Sequence, residues 1–226
     1  LPAYVLLLNP DTRVQPKALT RLASFLKDHP RVGVVGPQLT YGDGTFQHSA
    51  FHFPTLCMIF FDFWPLHHRL LDSRLNGRYP KHLYEAGEPF PIDHPLGAAM
   101  MVRGETIRQV GPLDDDYFMY CEEIDWCKRI QETGWEVYCL PKAEIVHFAG
   151  QSTSQFAEEM FVALWRSRYR LFRKHYGRGY RVAARLIVRL GLRYKMWQLR
   201  RRQRRGELSQ EEIKNKMAAY RRMLEM

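Results

Sequence analysis

The first 40 residues alternate between short continuous apolar runs and one amphipathic stretch. The apolar run at residues 5–8 predicts a strand that is fully buried, as in a sheet covered on both faces. Apolar residues at every third or fourth position predict a helix over residues 16–29, with a proline in its first turn. A second run at 32–37 predicts another strand. Strand, helix and strand in this order are typical of an α/β domain.

The middle of the chain is less regular. Residues 48–90 are rich in aromatic residues, histidine and proline, and we predict a long, partly helical excursion there. Periodicity and glycine or proline stops predict the elements that follow: a strand at 92–102 interrupted at 95–97, helices at 105–110 and 121–133, a strand at 136–140 and a loop at 145–154.

Helical periodicity dominates from residue 154 onward. We predict helices over 154–176 and 180–205, and a third that begins at a capping box formed by Ser209 and Glu212. The expected architecture is an α/β domain with a mixed sheet and flanking helices at 1–153, followed by a helical extension at 154–226.

Charge separates the same two regions. The composition, 46% hydrophobic and 26% charged, favours a folded chain, and the net charge is +10. Residues 160–206 contain sixteen Lys and Arg and no acidic residue, whereas the rest of the chain holds 18 basic and 24 acidic residues. A mildly acidic body with a strongly basic segment predicts an anionic partner for that segment, such as a membrane surface, a nucleic acid or a phosphorylated ligand.

One predicted helix of the basic segment is amphipathic. Arginines recur at every fourth position: Arg181, Arg185, Arg189 and Arg193. The adjacent arc is apolar: Ala183, Leu186, Ile187, Leu190, Tyr194 and Trp197. This pattern is typical of a helix that lies in the interface of an anionic membrane, although the apolar arc can instead pack on the body and leave the arginines solvated.

Hydropathy, the N-terminal residues and the cysteine spacing predict the compartment. No window is long and apolar enough to predict a transmembrane helix, and the N-terminus has no signal-peptide pattern. The four cysteines form no CxxC pair and predict buried free thiols rather than a zinc site. We therefore expect a cytoplasmic protein, with peripheral binding to the inner face of the cell membrane as the role of the basic helix.

Two short segments carry candidate ligand chemistry. Asp11 follows the first predicted strand, where open α/β sheets place ligands and where a carboxylate can hold a divalent cation, although Asn-Pro-Asp is also common in turns. His147 ends an apolar run and is a candidate second ligand, although histidines at such positions more often bind nothing. The residues after it, Gly150, Ser152 and Thr153, can approach a phosphate with backbone N–H groups and hydroxyls.

A third segment is densely acidic, from residue 114 to residue 125. If a helix begins near residue 121, Glu122 and Asp125 share one face, and Arg129 lies one turn beyond Asp125. Asp125 and Arg129 then brace the helix, and Glu123 is left to face a cleft. Acidic residues near a helix N-terminus are also favourable simply because of the helix dipole.

Four blocks, in this order, resemble the inverting nucleotide-sugar glycosyltransferases of family 2 with the GT-A fold, in particular their rhamnosyltransferase-like branch. The resemblance covers about residues 1–176, and its blocks are residues 6–12, similar to a DXD metal motif; Asp93 with residues 97–103; residues 113–115 with 118–129; and residues 141–152, which include His147.

The resemblance implies metal-dependent transfer of a sugar to an acceptor hydroxyl, with Mg or Mn as the cofactor. It implies that Asp11 and His147 hold the metal and that Glu123 is the general base. It also implies that Asp93 and Asp114 line the sugar and acceptor cleft. The expected donor is a dTDP- or UDP-sugar, and the expected acceptor is a polysaccharide or a lipid-linked glycan of the cell envelope.

The sequence departs from the family pattern at two site positions and in its length. Glu123 stands where the family usually has Asp, and Asn9 replaces the first acid of the metal motif. Family members carry a nucleotide-binding strand–helix region before that motif, so we expect this chain to be a truncated form. A non-catalytic relative with a scaffold role is therefore an alternative.

A nucleic-acid-binding module, driven by the arginine run at 200–205, is a second alternative. It is disfavoured because the chain has no nucleic-acid fold signature and because its acidic body would repel a polyanion. We therefore expect no nucleic-acid partner.

Overall fold

The computed structural model describes residues 1–71, 73–148, 157–207 and 209–226. The chain divides into two compact units, each assembled from three stretches of sequence. The sheet unit comprises Leu1–Phe53, Asp72–Asp115 and Glu122–Gln151, and the helical unit comprises Pro54–Leu71, Asp116–Cys121 and Ser152–Met226.

A mixed β-sheet forms the frame of the sheet unit. The strands of the sheet unit, in chain order, are β1 (Tyr4–Leu8), β2 (Thr12–Val14), β3 (Val32–Thr40), β4 (Phe46–Gln47), β5 (Ala50–Phe51), β6 (Phe90–Pro91), β7 (His94–Pro95), β8 (Ala99–Arg103) and β9 (Glu136–His147). The strand order is β1-β8-β3-β9-β2, with β4 beside β3 and β6 beside β9, while β5 and β7 form a separate pair. Within the described residues β3 and β9 run parallel, and the other strand pairs are antiparallel.

Helices occur in both units. Those of the sheet unit are α1 (Ala18–Asp28), α4 (Lys81–Glu85), α5 (Gly104–Val110) and α6 (Glu122–Glu132). Those of the helical unit are α2 (Leu56–Phe63), α3 (His68–Leu71), α7 (Ala157–His175), α8 (Arg178–Arg204) and α9 (Gln210–Leu224). The capping box that was predicted at Ser209 and Glu212 opens α9, as its reciprocal hydrogen bonds confirm.

Each face of the sheet has its own hydrophobic core, because successive residues of a strand point to opposite faces. Val35 of β3 packs in a cluster that contains Leu22 of α1. Its neighbour Val34 packs in a second cluster, which contains Trp126 of α6. Since α1 and α6 cover opposite faces, the predicted mixed α/β sheet with flanking helices is confirmed.

The first strand has the predicted position but not the predicted burial. β1 lies at one end of the strand order and pairs with β8. Four of its residues are only half-buried, and Leu8 is exposed. The prediction of a fully buried strand was therefore wrong, because an apolar run does not distinguish a central strand from an edge strand.

The last strand, β9, is longer than predicted and continues to His147. The pairing register with β3 jumps between Leu140 and Glu144, so three residues that include Pro141 bulge from the ladder. A bulge accommodates proline, which has no N–H to donate. The loop predicted to begin at residue 145 was therefore wrong for residues 145–147.

In the helical unit, α8 packs closely on α2 at Gly191. A Cβ atom there would lie 2.1 Å from the ring of Phe63, so this contact requires glycine. Phe63 also stacks on Trp165 of α7, with ring centroids 5.4 Å apart. Among the described residues, no helix has both the length and the apolar character needed to cross a membrane.

Candidate active site

Asp11 and His147 meet at one end of the sheet. β2 begins directly after Asp11, and its first residue, Thr12, pairs with His147 at the end of β9. The backbone N–H of Phe148 donates to the Asp11 carbonyl oxygen at 2.9 Å, which fixes the two chain segments side by side. As a result, His147 Nε2 lies 3.5 Å from Asp11 Oδ1.

The ring of His147 is held from its other nitrogen. The side-chain amide of Gln47, on β4, lies 3.2 Å from His147 Nδ1. A partner at Nδ1 fixes the orientation of the imidazole and leaves Nε2 directed at a ligand. The side chain of Asp11 is 22% exposed, so solvent and ligands can reach the pair.

These donors fit a divalent cation. A carboxylate oxygen and an imidazole nitrogen face each other across 3.5 Å, which brings two ligand atoms to one point. Mg²⁺ and Mn²⁺ accept such oxygen-containing ligand sets, and a cation held by few protein atoms completes its coordination with water and substrate phosphate. The Asp11–His147 pair therefore has the chemistry of an open metal site rather than a closed structural one.

Glu123 occupies the first turn of α6, and its carboxyl group is buried. Its Oε2 atom has no hydrogen-bond partner among the described residues. A Cβ atom on Gly97 would lie 3.4 Å from Glu123 Cδ, so this carboxyl packs against the chain just before β8. The sequence predicted a free carboxylate facing a cleft, and the structure instead encloses the carboxyl group.

Burial, and to a lesser extent the neighbouring charge of Glu122, raises the pKa of Glu123 to about 8. An unsatisfied buried carboxyl group is uncommon in folded proteins, where polar atoms are normally paired. A pKa near neutrality is suited to a group that exchanges protons with a substrate. Glu123 is therefore a candidate for proton exchange with a substrate.

The helix that carries Glu123 is braced as predicted. Asp125 is fully buried, and Arg129 Nε donates to its Oδ2 at 2.8 Å. Arg129 also donates to the carbonyl oxygens of Val110 and Pro112, at 3.1 and 2.9 Å. This network ties the start of α6 to the loop after α5 and fixes the position of Glu123.

The backbone enters α6 under strain. Tyr120 and Cys121 are consecutive non-glycine residues with positive φ, at 68° and 67°. Side chains disfavour this region, and such residues concentrate at functional sites. The strain lies immediately before the helical turn that carries Glu123.

Asp93 belongs to a different cluster. Its carboxylate accepts hydrogen bonds from the Phe53 N–H at 2.8 Å and from the Tyr79 hydroxyl at 3.4 Å, and His52 Nδ1 lies 3.4 Å away. Asp93, Tyr79 and His52 line a cavity of about 920 Å³ in the sheet unit. Within the described part of the chain, Asp93 forms no hydrogen bond or ion pair with Asp11 or His147.

The remaining candidates are not brought to the metal pair by any described contact. Asp114 is half-buried in the segment between α5 and α6. The three candidate phosphate contacts lie outside the described residues: Gly150, Ser152 and Thr153.

Two neighbours of the site could not be found from the sequence. Gln47 contacts His147 across 100 positions of sequence, and no motif marks it. Gly97 was noted only as part of a block, whereas the structure places its backbone against the carboxyl group of Glu123. In both cases the residue is identified by a contact that forms only in the folded sheet, so no local sequence pattern predicts it.

Comparison with known proteins places these features in a family context. The sequence model of "Glycosyl transferase family group 2" matches residues 4–206. The chain is 29% identical over 171 residues to an N-acetylglucosaminyl-diphospho-decaprenol L-rhamnosyltransferase of Mycobacterium tuberculosis, which covers 74% of this chain and 53% of the relative. It is 22% identical over 150 residues to the dTDP-rhamnosyl transferase RfbF of Shigella flexneri, covering 66% of this chain and 44% of that protein.

The chain spans about half the length of these curated relatives or less. Among solved structures, it is similar to GalNAc-T7 with UDP, GalNAc and Mn²⁺, at 13% identity and a TM-score of 0.42, over 64% of this chain and 27% of that one.

Proposed function

Because the chain belongs to glycosyl transferase family group 2, we propose that it transfers a sugar from a nucleotide-sugar to an acceptor hydroxyl with inversion at the anomeric carbon. The observation that carries this proposal is the Asp11–His147 pair, with 3.5 Å between Oδ1 and Nε2. Two ligand atoms for one cation, in the same compact unit as a buried carboxyl group of raised pKa, suit a reaction with an anionic leaving group and an acceptor proton.

Asp11 and His147 would hold Mg²⁺ or Mn²⁺, and Gln47 would orient the histidine. The bound cation supplies positive charge that offsets the negative charge of the departing nucleoside diphosphate. Gly150, Ser152 and Thr153, which follow His147 in sequence, would bind the donor phosphates. Backbone N–H groups and hydroxyls are suited to that role.

Glu123 would act as the general base. Its carboxylate would accept the proton of the acceptor hydroxyl while that oxygen attacks the anomeric carbon, and the bond to the nucleoside diphosphate would break on the opposite face. Since its pKa is about 8, a substantial fraction of Glu123 is ionised just above neutral pH. We assign Asp93 and Asp114 to the cleft that receives the sugar and the acceptor.

The relatives suggest the class of substrate. The name of one specifies a diphospho-decaprenol acceptor, and the name of another a dTDP-rhamnosyl donor. We propose a dTDP- or UDP-sugar as the donor and a polysaccharide or lipid-linked glycan of the cell envelope as the acceptor, with the reaction on the cytoplasmic side of the membrane.

Thermal melting with Mn²⁺ and a panel of UDP-, dTDP- and GDP-sugars tests this proposal. A ligand that binds only the folded state at about 100 times its Kd adds about 2.7 kcal/mol and raises Tm. We expect a rise for one nucleotide that needs the metal and is lost in Asp11→Ala. The control Asp28→Ala removes an exposed carboxylate of α1 and should keep the rise. A rise that survives Asp11→Ala would refute the metal site.

We also propose that α8 binds an anionic membrane surface through its outer face. Four apolar residues of this helix are 47–68% exposed: Val182, Leu186, Leu190 and Trp197. Arg185, Arg189 and Arg193 are exposed beside them. Apolar side chains flanked by arginine fit the interface of a bilayer that carries anionic lipid.

The predicted apolar arc of this helix is divided between two roles. Leu186, Leu190 and Trp197 point outward, whereas Tyr194 is half-buried and stacks on Trp64 at 5.9 Å between ring centroids. Ala183 and Ile187 are also half-buried. Both alternatives, packing and exposure, therefore apply to different parts of one arc.

Co-sedimentation with phosphatidylglycerol vesicles tests the membrane proposal. Arg189→Glu with Arg193→Glu should weaken binding by at least about tenfold, because each charge near an anionic surface contributes about 1 kcal/mol. The control pair Lys27→Glu and Arg108→Glu makes the same charge change on exposed residues of the sheet unit and should bind normally. Equal loss of vesicle binding in both double variants would show that binding depends only on the net charge of the chain.

A further inference from the structure

The helical unit contains a cavity of about 680 Å³ with an unusual concentration of arginine. Six arginines line it: Arg166, Arg170, Arg173, Arg178, Arg181 and Arg185. Asp116 is the one acidic residue in the described lining. A cavity with this lining has a strongly positive potential and attracts anions.

The arginines form two rows on neighbouring helices. Those of α7 stand at positions i, i+4 and i+7: Arg166, Arg170 and Arg173. Those of α8 stand at i, i+3 and i+7: Arg178, Arg181 and Arg185. These spacings place each row on a single helix face. The cavity therefore presents guanidinium groups from two sides, as recognition of a multiply charged anion requires.

Most of this charge has no acidic partner among the residues that the structure describes. Arg170 forms an ion pair with Asp116. Arg185 lies over the ring of Tyr169, with its guanidinium carbon 5.9 Å from the ring centroid. No carboxylate among the described residues forms an ion pair with Arg166, Arg173, Arg178 or Arg181. Guanidinium groups that converge on one cavity repel each other unless an anion neutralises them.

The same cavity has an apolar rim. Phe118 and Val182 line it and are 80% and 68% exposed, and Met226 lines it at 38% exposure. Val182 is also the first of the exposed apolar residues that continue along α8 through Leu186 to Trp197. A ligand with an anionic head and a hydrocarbon chain would match both surfaces.

We propose that this cavity binds the diphosphate group of a lipid diphosphate, with the hydrocarbon chain leaving across Val182 along α8. The lipid would be the carrier of the acceptor glycan, so the assignment rests on the proposed glycosyl transfer. A diphosphate offers several oxygens for bidentate contacts with arginine.

Binding of farnesyl diphosphate to the full chain, measured by calorimetry in the presence of EDTA, tests this proposal. EDTA removes divalent cations, so the Asp11–His147 site cannot contribute. We expect farnesyl diphosphate to bind at least about tenfold more tightly than inorganic pyrophosphate, dTDP or UDP, because its chain adds buried apolar area. Farnesol, which lacks the anionic head, should not bind measurably.

Arg173→Gln with Arg178→Gln should weaken that binding by at least about tenfold, since charge-assisted hydrogen bonds are lost. Arg173→Lys with Arg178→Lys keeps the charge and should restore part of it. The control pair Arg200→Gln and Arg204→Gln removes the same charge from exposed positions of α8 outside the cavity lining and should bind normally. An unchanged melting temperature shows that each variant folds.

Three results would overturn the proposal: equal affinity for pyrophosphate and farnesyl diphosphate, tightest binding of dTDP or UDP, or undiminished binding in the Arg173 and Arg178 glutamine variant. The outcome is separable from the proposed function. Loss of the metal-dependent rise in Tm with nucleotide-sugars would contradict glycosyl transfer and leave the lipid-diphosphate site intact. Failure of farnesyl diphosphate to bind would contradict the lipid-diphosphate site and leave the proposed glycosyl transfer intact.

Discussion

Asp11 and Glu123 are both carboxylic acids of the sheet unit, yet their surroundings give them opposite properties. Asp11 is partly exposed and lies 3.5 Å from an imidazole nitrogen, as a cation ligand should. Glu123 has an enclosed carboxyl group without a hydrogen-bond partner for Oε2 among the described residues, and its pKa is raised to about 8. Burial and neighbours, rather than residue type, set these opposite properties, and the proposed roles of Asp11 as cation ligand and Glu123 as base follow from them.

The largest effect is expected from replacing Glu123, the proposed general base. Glu123→Gln should lower kcat of glycosyl transfer by about 10²–10⁴-fold, because the amide cannot accept the acceptor proton. The metal-dependent rise in Tm with the donor should remain, since Asp11 and His147 are intact. Glu132→Gln, at the other end of α6, is the matched control and should keep full activity. Near-normal turnover in Glu123→Gln would show that Glu123 is not the general base.

The second effect concerns pH. With a pKa of about 8, Glu123 is ionised in only about one molecule in a hundred at about pH 6, so the rate should rise about 100-fold towards a plateau above about pH 9. Initial rates of glycosyl transfer measured across this pH range give the midpoint of the rise. A rise of the rate with its midpoint near the ordinary pKa of glutamate would contradict the burial of Glu123.

Stability should follow the opposite trend. The folded-state pKa of Glu123 is raised, so its contribution to stability is complete below the unfolded value of 4.5 and is lost as pH rises through about 8. The free energy of unfolding should therefore fall between about pH 5 and pH 9 more steeply in the wild type than in Glu123→Gln. Chemical denaturation at several pH values compares the two slopes.

A smaller effect is expected beside the proposed metal ligands, Asp11 and His147. Gln47→Ala removes the amide that lies against His147 Nδ1. Loss of such an orienting partner typically weakens metal affinity by about 10–100-fold. Titration of Mn²⁺ by electron paramagnetic resonance gives the affinity, and Gln38→Ala on β3 offers an amide control away from the histidine. If Gln47→Ala binds Mn²⁺ normally, the imidazole is held by other contacts.

The smallest effect should come from Gly97→Ala. The new methyl group would lie 3.4 Å from Glu123 Cδ, so it fits with little displacement. We expect less than about a tenfold loss of kcat and a small shift of the rate–pH profile to higher pH, since the methyl group adds apolar surface beside the carboxyl group. Gly179→Ala, where a Cβ meets nothing within 4 Å, is the control and should leave both unchanged.

The sequence was sufficient for the order of the longer helices and strands and for candidate residues, because apolar periodicity and turn residues are local signals. The short strands β2, β4 and β5 were not predicted. It was insufficient where pairing between distant segments decides. The extension of β9 past Pro141 depends on a bulge against β3, and the half-burial of β1 depends on its place at the sheet edge. Neither property is encoded in the residues of the strand itself.

The same limit applies to the site. Asp11 and His147 were identified from separate blocks, and the pairing of β2 with β9 accounts for their proximity. The enclosure of Glu123 was missed, because it arises from the chain before β8 rather than from α6. Likewise, a helical wheel placed Tyr194 and Leu190 in one arc, whereas stacking on Trp64 separates them.

The contact between Gly191 and Phe63 has a practical consequence for spectroscopy. Because a Cβ would overlap the ring at 2.1 Å, α8 cannot turn about its own axis without losing this fit, and its outer residues keep a fixed orientation. Leu190, 47% exposed, is thus a defined attachment point for an environment-sensitive fluorophore after Leu190→Cys. Of the native thiols only Cys57 is exposed, so Cys57→Ser would leave a single reactive label that reports directly on what covers this helix.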